Sequence, residues 1–99
     1  MSQPAPELLD QLNILIDKLR DESSHFQDSH EDTQQWYNRG YANGMVRGLI
    51  VVLKKQQPNG YSLDDDSFLQ GHEVMAWGKA YRHGEQVGEK EIYEITGHH

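Results

Sequence analysis

Trp36, Tyr37, Arg39 and Tyr41 place three aromatic rings and a guanidinium within two helical turns, and Arg47 stands two turns beyond Arg39. Trp77, Lys79, Tyr81 and Arg82 echo the group. Aromatic faces beside guanidinium groups stack on bases and neutralise phosphates. The same residue types anchor protein interfaces. Three readings stand side by side. The rings fill space around nearby glycines while the arginines pair with acids of the first helix. Alternatively, Trp36, Tyr37, Arg39, Tyr41, Trp77 and Tyr81 are anchors for a protein partner. In the third reading they hold a small anionic, nucleotide-like ligand at an interface between copies of the chain.

Other chemistry is thinner. Of the six histidines, His25 and His30 are five apart and His72 and His83 eleven apart, so neither pair faces one direction at the spacing a metal needs. No metal or other cofactor is expected. Asp64-Asp65-Asp66 lacks the alternating oxygen ligands and closing glutamate of a calcium loop and reads as a solvated helix start. Ser23, Ser24, Ser29, Ser62 and Ser67 sit in turn or cap contexts, not at a nucleophile elbow. The glycines lie inside helical patterns rather than at a phosphate-cradling helix start. No catalytic residues are assigned, and the expectation is a chain that is not an enzyme.

Composition narrows the class. Ninety-nine residues make one domain, and with 35% hydrophobic residues its core must be small. The longest apolar run, Gly48 to Leu53, is far too short to span a bilayer. Cysteine is absent and no secretion signal is read, so a cytoplasmic setting is expected. The net charge of −7 is uneven. Glu7, Asp10, Asp17, Asp21, Glu22, Asp28, Glu31 and Asp32 face only Lys18 and Arg20 in residues 1–35, whereas residues 36–58 carry Arg39, Arg47, Lys54 and Lys55 and no acid. Duplex nucleic acid is disfavoured as a partner, since phosphate contacts need clustered cations. A protein with a basic surface fits better.

Three helices must position these residues. Leu8, Leu9, Leu12, Leu15, Ile16 and Leu19 make one apolar stripe over residues 7–24, opened by Pro6 and Glu7. Ser29 with Asp32 resembles a cap for a second helix from about Glu31 to Gln56, stopped by Pro58-Asn59-Gly60. Residues 57–66 read as a polar loop. Ser67 with Gln70 resembles a further capping box and predicts a third helix from Ser67 to Ile95. Residues 1–5 and 96–99 read as frayed ends.

Gly40, Gly44 and Gly48 recur every four residues in the second helix, and Ala80, Gly84 and Gly88 repeat that spacing in the third. Each mid-helix glycine costs about 1 kcal/mol relative to alanine. Close approach of two helix backbones is the compensation expected. An offset of forty matches Tyr41 with Tyr81, Gly44 with Gly84 and Gly48 with Gly88. The stretch Gly40-Tyr41-x-x-Gly44-x-x-x-Gly48 resembles the GX3 runs of Yae1-type helical adaptor proteins, over under a tenth of the chain. In general character the chain is similar to small acidic phage-encoded proteins that block host machinery, anti-CRISPR proteins among them.

These readings predict one all-α domain of three helices, with helices 2 and 3 as an antiparallel hairpin joined along the glycines and helix 1 packed across it. A homodimer is expected, because a core this small gains from association. The function read is a non-enzymatic module that occludes or bridges a protein partner.

Overall fold

The computed structural model describes residues 5–98; the readings for residues 1–4 and 99 lie outside them. Among the described residues the chain is all-helical, with long helices α1 (Pro6–Glu22), α2 (Thr33–Leu53) and α3 (Ala76–Thr96). Pro6 opens α1, where its missing N–H costs nothing, and Glu7 lies in the positive first turn. Asp32 caps α2 through its own carboxylate, which accepts from the Gln35 amide. The helix α2 ends at Leu53, three residues before Gln56, and Lys54 closes it with φ 57° in the left-handed region.

The third helix begins nine residues later than its pattern predicts. Asp65 accepts from the Ser67 amide at 3.0 Å and opens only a short 3-10 turn, Asp66–Leu69. Gly71 then takes φ +78°, which breaks the run. At the far end Gly97 takes φ +74°, and the Gly97 and His98 amides bond back to Glu94 and Tyr93. That closure satisfies the last carbonyls, so the chain through His98 is capped rather than frayed.

The glycine rows pack against backbone, but the helices run in the same direction. A Cβ on Gly40 would overlap the Tyr81 carbonyl oxygen, one on Gly44 the Glu85 carbonyl, and one on Gly48 would stand 2.7 Å from Ile92 Cβ. The partner number rises with the glycine number, so α2 and α3 are parallel, not an antiparallel hairpin. The contact is reciprocal: a Cβ on Gly84 would meet the Tyr37 carbonyl, and one on Gly88 the Tyr41 carbonyl. Gly40 thus corresponds to Gly84, Gly44 to Gly88 and Tyr37 to Tyr81, about a local two-fold axis lying between the helices. The register is 44 residues, one helical turn longer than the forty predicted.

A parallel pair needs a long return. Residues 54–75 supply it as an irregular crossover containing the turns Pro58–Gly60 and Asp66–Leu69. The antiparallel pair is α1 with α2. Leu12 and Ile16 are buried in one cluster with Ala42, Met45, Val46 and Leu49, while Leu9, Leu49 and Leu53 line one concavity at the far end. Helix α1 therefore packs on α2, which lies between α1 and α3.

Candidate functional site

The parallel register brings Arg39, Asn43 and Arg47 of α2 and Glu85 of α3 onto one side of the seam. The crossover lies across that side. Asn43, buried at 1% exposure, donates to Glu85 Oε2 at 2.7 Å and accepts from the Asp64 amide at 2.8 Å. Arg39 grips Asp64 with two parallel bonds, Nη2 to Oδ1 at 2.7 Å and Nε to Oδ2 at 3.0 Å. The Tyr81 hydroxyl donates to the same carboxylate at 2.8 Å. Arg82 bridges Glu85 at 2.8 Å and Asp66 at 2.9 Å, and Arg47 reaches Glu85 at 3.3 Å. Three guanidiniums face three carboxylates, tying α2, α3 and the crossover together.

The electrostatics follow from this pairing. Burial pushes the Asp64 carboxyl up, but the bonded Arg39, the Tyr81 hydroxyl and nearby Arg20 outweigh it and hold it below the ordinary carboxylate value. The bond to Asp64 outweighs burial at Arg39 and holds its guanidinium more firmly protonated. Arg20 behaves oppositely, lowered by burial and by Arg39; it donates to the Ser62 carbonyl at 2.8 Å and lies over the Tyr61 ring. Burial, then the Asp64 charge, drives the Tyr81 phenol far above its usual value. Burial and the bond to Asp17 push Tyr61 up to about 12.

An alkaline transition is expected from these phenols. Both hold their protons when folded above pH 10, where the unfolded chain releases them. Their stabilisation is therefore full below about pH 10 and lost as pH rises beyond it. Burial and the bond to Glu89 push Tyr93 up to about 12 as well. Tyrosinate absorbance followed together with circular dichroism should therefore show three of the five tyrosines ionising only as helicity collapses. Smooth ionisation of all five while the helices persist would contradict the assignment.

The predicted anchors divide. Trp36 and Tyr81 are fully buried and Trp77 is 7% exposed, all three in a second core cluster with Phe26 and Leu69. Trp36 packs edge-on to Phe26 and donates to the Ser29 carbonyl at 3.1 Å. Trp77 stacks on His30 with ring centroids 4.6 Å apart. In this chain those three rings build the core rather than a surface, because the parallel register packs Trp36 against Trp77, their planes tilted by 40°. Arg39 is committed to Asp64, and Ala80 packs at the edge of the aromatic cluster. Tyr37 and Tyr41 stay half-exposed, with Tyr37 against Tyr41 and His83.

The pairing of α2 arginines with α1 acids is also corrected. Their carboxylates come from the crossover and α3, because α1 approaches α2 on another face. All three members of the aspartate run are occupied: Asp64 and Asp66 in ion pairs, Asp65 as a cap. Asn43, Glu85, Asp64 and Asp66 escaped the sequence reading as network members. A polar Asn43 inside a row of buried positions was the one available signal.

Among the described residues no group of three His, Cys, Asp or Glu side chains is placed to hold a metal ion. No helix there is long and apolar enough to cross a membrane. A concavity of about 500 Å³ lies along Gln27–Asp32, and one of about 290 Å³ lies between Leu9 and Leu53; neither touches the network. No family model, curated protein or solved structure matches the chain.

Proposed function

We propose that the protein is a non-enzymatic binding module that occludes or bridges a protein partner with a basic surface. One observation carries the reading. Among the described residues, none of the eight acids of residues 1–35 has a lysine or arginine partner. The internal network has consumed Arg39, Arg47 and Arg82, so the acids of α1 have no lysine or arginine partner and Asp28 faces only His25, at 3.9 Å. Such a surface raises the encounter rate with a basic partner and is screened by salt.

A small anionic ligand has less support, since the guanidiniums that would hold it already hold carboxylates. Homodimerisation through the glycine grooves also loses its motive, because the grooves fill each other within one chain.

Affinity capture from the source cells tests the module reading. Wild-type protein should recover one defined protein at low salt and lose it at high salt. Asp10→Lys, Asp21→Lys, Asp28→Lys and Glu31→Lys combined should abolish capture while circular dichroism stays unchanged, since all four side chains are exposed. Recovery unaffected by the reversals, or no partner under any condition, contradicts the reading.

A further inference from the structure

Three separate parts of the chain wall the concavity between Leu9 and Leu53. The first turns of α1 supply Leu9 and Asp10, the last turns of α2 supply Leu49 and Leu53, and the turn that follows supplies Lys55 and Pro58. Leu49 is buried, and Leu9 and Leu53 are half-buried against the same core cluster. The apolar floor is thus the outer edge of the packed core. Pro58 is fully buried and fixes the backbone of the outer wall. Lys54 and Asn59, with φ 57° and 51°, are the two described residues other than glycine in the left-handed region, and both belong to this turn. A residue with a Cβ enters that region at a cost, so the surrounding structure holds the turn in one shape.

Charge and size select the occupant. Asp10 and Lys55 line this one concavity, both exposed and opposite in sign. Among the described residues neither is in an ion pair, with the other or with any third group. The lining carries no further charge and no aromatic ring. An anion alone would face Asp10 unpaired, and a cation alone would face Lys55 unpaired. A molecule with both charges and an aliphatic body satisfies the whole lining. A volume of about 290 Å³ is at the small end for ligand cavities, which suits one amino acid and is tight for a nucleotide.

We infer that this concavity binds an aliphatic α-amino acid, its side chain on Leu9, Leu49 and Leu53, its ammonium against Asp10 and its carboxylate against Lys55. The inference goes beyond the module reading and does not depend on it.

The probe is L-leucine, titrated into the isotope-labelled full chain. Isocaproate, which is leucine without its ammonium, and isoamylamine, which is leucine without its carboxylate, are the comparisons. Leucine should shift the amide resonances of Leu9, Asp10, Leu53 and Lys55 to saturation, and each comparison should bind about threefold to tenfold more weakly. Asp10→Asn should weaken leucine and isoamylamine without weakening isocaproate. Lys55→Gln should weaken leucine and isocaproate without weakening isoamylamine. Both side chains are exposed, so the spectrum of the core should stay dispersed in either variant. No saturable shift with leucine, shifts confined to residues 27–32, equal binding of the three molecules, or one common loss for all three in either variant would overturn the proposal. So would movement of the same amides as protein concentration rises without leucine, which would make a second copy the occupant. Nuclear Overhauser contacts from residues 1–4 to Leu53 would assign the concavity to the chain's own terminus and overturn it likewise. None of these outcomes bears on lysate capture, so failure here leaves the module reading standing.

Discussion

Gly44→Ala is expected to destabilise the protein severely, although alanine is the better helix former. Propensity alone would add about 1 kcal/mol of stability. The new Cβ, however, would enter the Glu85 carbonyl, and backbone cannot rotate aside as a side chain can. Relief requires α2 and α3 to separate along their whole seam, with a cost of about 3 kcal/mol or more, at or beyond the upper end for overpacking. Against a total stability of roughly 5–15 kcal/mol, that is a large fraction. Thermal unfolding should show Tm falling by at least about 10 °C. Gly48→Ala should destabilise as well, because its new Cβ would stand 2.7 Å from the Cβ of Ile92, a fully buried residue whose Cβ is fixed to the α3 backbone. A rise in Tm for Gly44→Ala would mean that the helices are not in backbone contact.

The second large effect is at Asp64. Its side chain is 10% exposed, and it satisfies Arg39 and Tyr81 at once. Asp64→Ala leaves a mostly buried guanidinium without its partner and is expected to cost about 3–5 kcal/mol. The acid limb of the stability curve should change with it. A carboxyl held below its unfolded value stabilises fully above about pH 4, and the gain is lost as pH falls through the folded value. Wild type should therefore lose stability on acidification below pH 4 more steeply than Asp64→Ala, measured by urea unfolding at stepped pH. Replacing Arg39 and Asp64 together with apolar residues of similar size should recover much of the loss, since neither charge is then stranded. Additive losses in that double variant would show that the pair is not coupled.

The all-helical class and the close packing of the glycine rows were legible in the sequence, because helical periodicity and mid-helix glycine are local signals. Direction was not. A row at i, i+4 reads the same toward either end, so it cannot separate a parallel pair from an antiparallel one. Register was ambiguous for a similar reason: Tyr-x-x-Gly-x-x-x-Gly begins at Tyr37 and again at Tyr41, and Tyr81 matches both. The loop length then misled. A helix of 21 residues is roughly 31 Å long, and a loop of ten residues reaches at most about 33 Å when fully extended. That made a hairpin the natural reading. The crossover is twice as long because α2 stops at Lys54 and α3 waits until Ala76.

The candidate site was legible only in residue type. Trp36, Trp77 and Tyr81 stood out as large rings, but whether a ring lies inside or outside depends on which helix faces it. The pairing of Arg39 with Asp64 spans 25 residues and belongs to the tertiary arrangement alone. Tyr37 and Tyr41 kept an exposed edge because the crossover passes on the other side of the seam.

The shared direction of α2 and α3 sets an order of assembly. Their contacts join residues some forty positions apart, so no local turn can nucleate them. The α1–α2 unit closes over a short connection and collapses early, whereas α3 docks last, after the intervening chain has wrapped back. During synthesis the bare ridge of α2 stays uncovered until the final helix leaves the ribosome. In that interval its natural substitute is the equivalent α3 of a neighbouring nascent chain, which makes dimers that exchange α3 the expected misassembly of this topology.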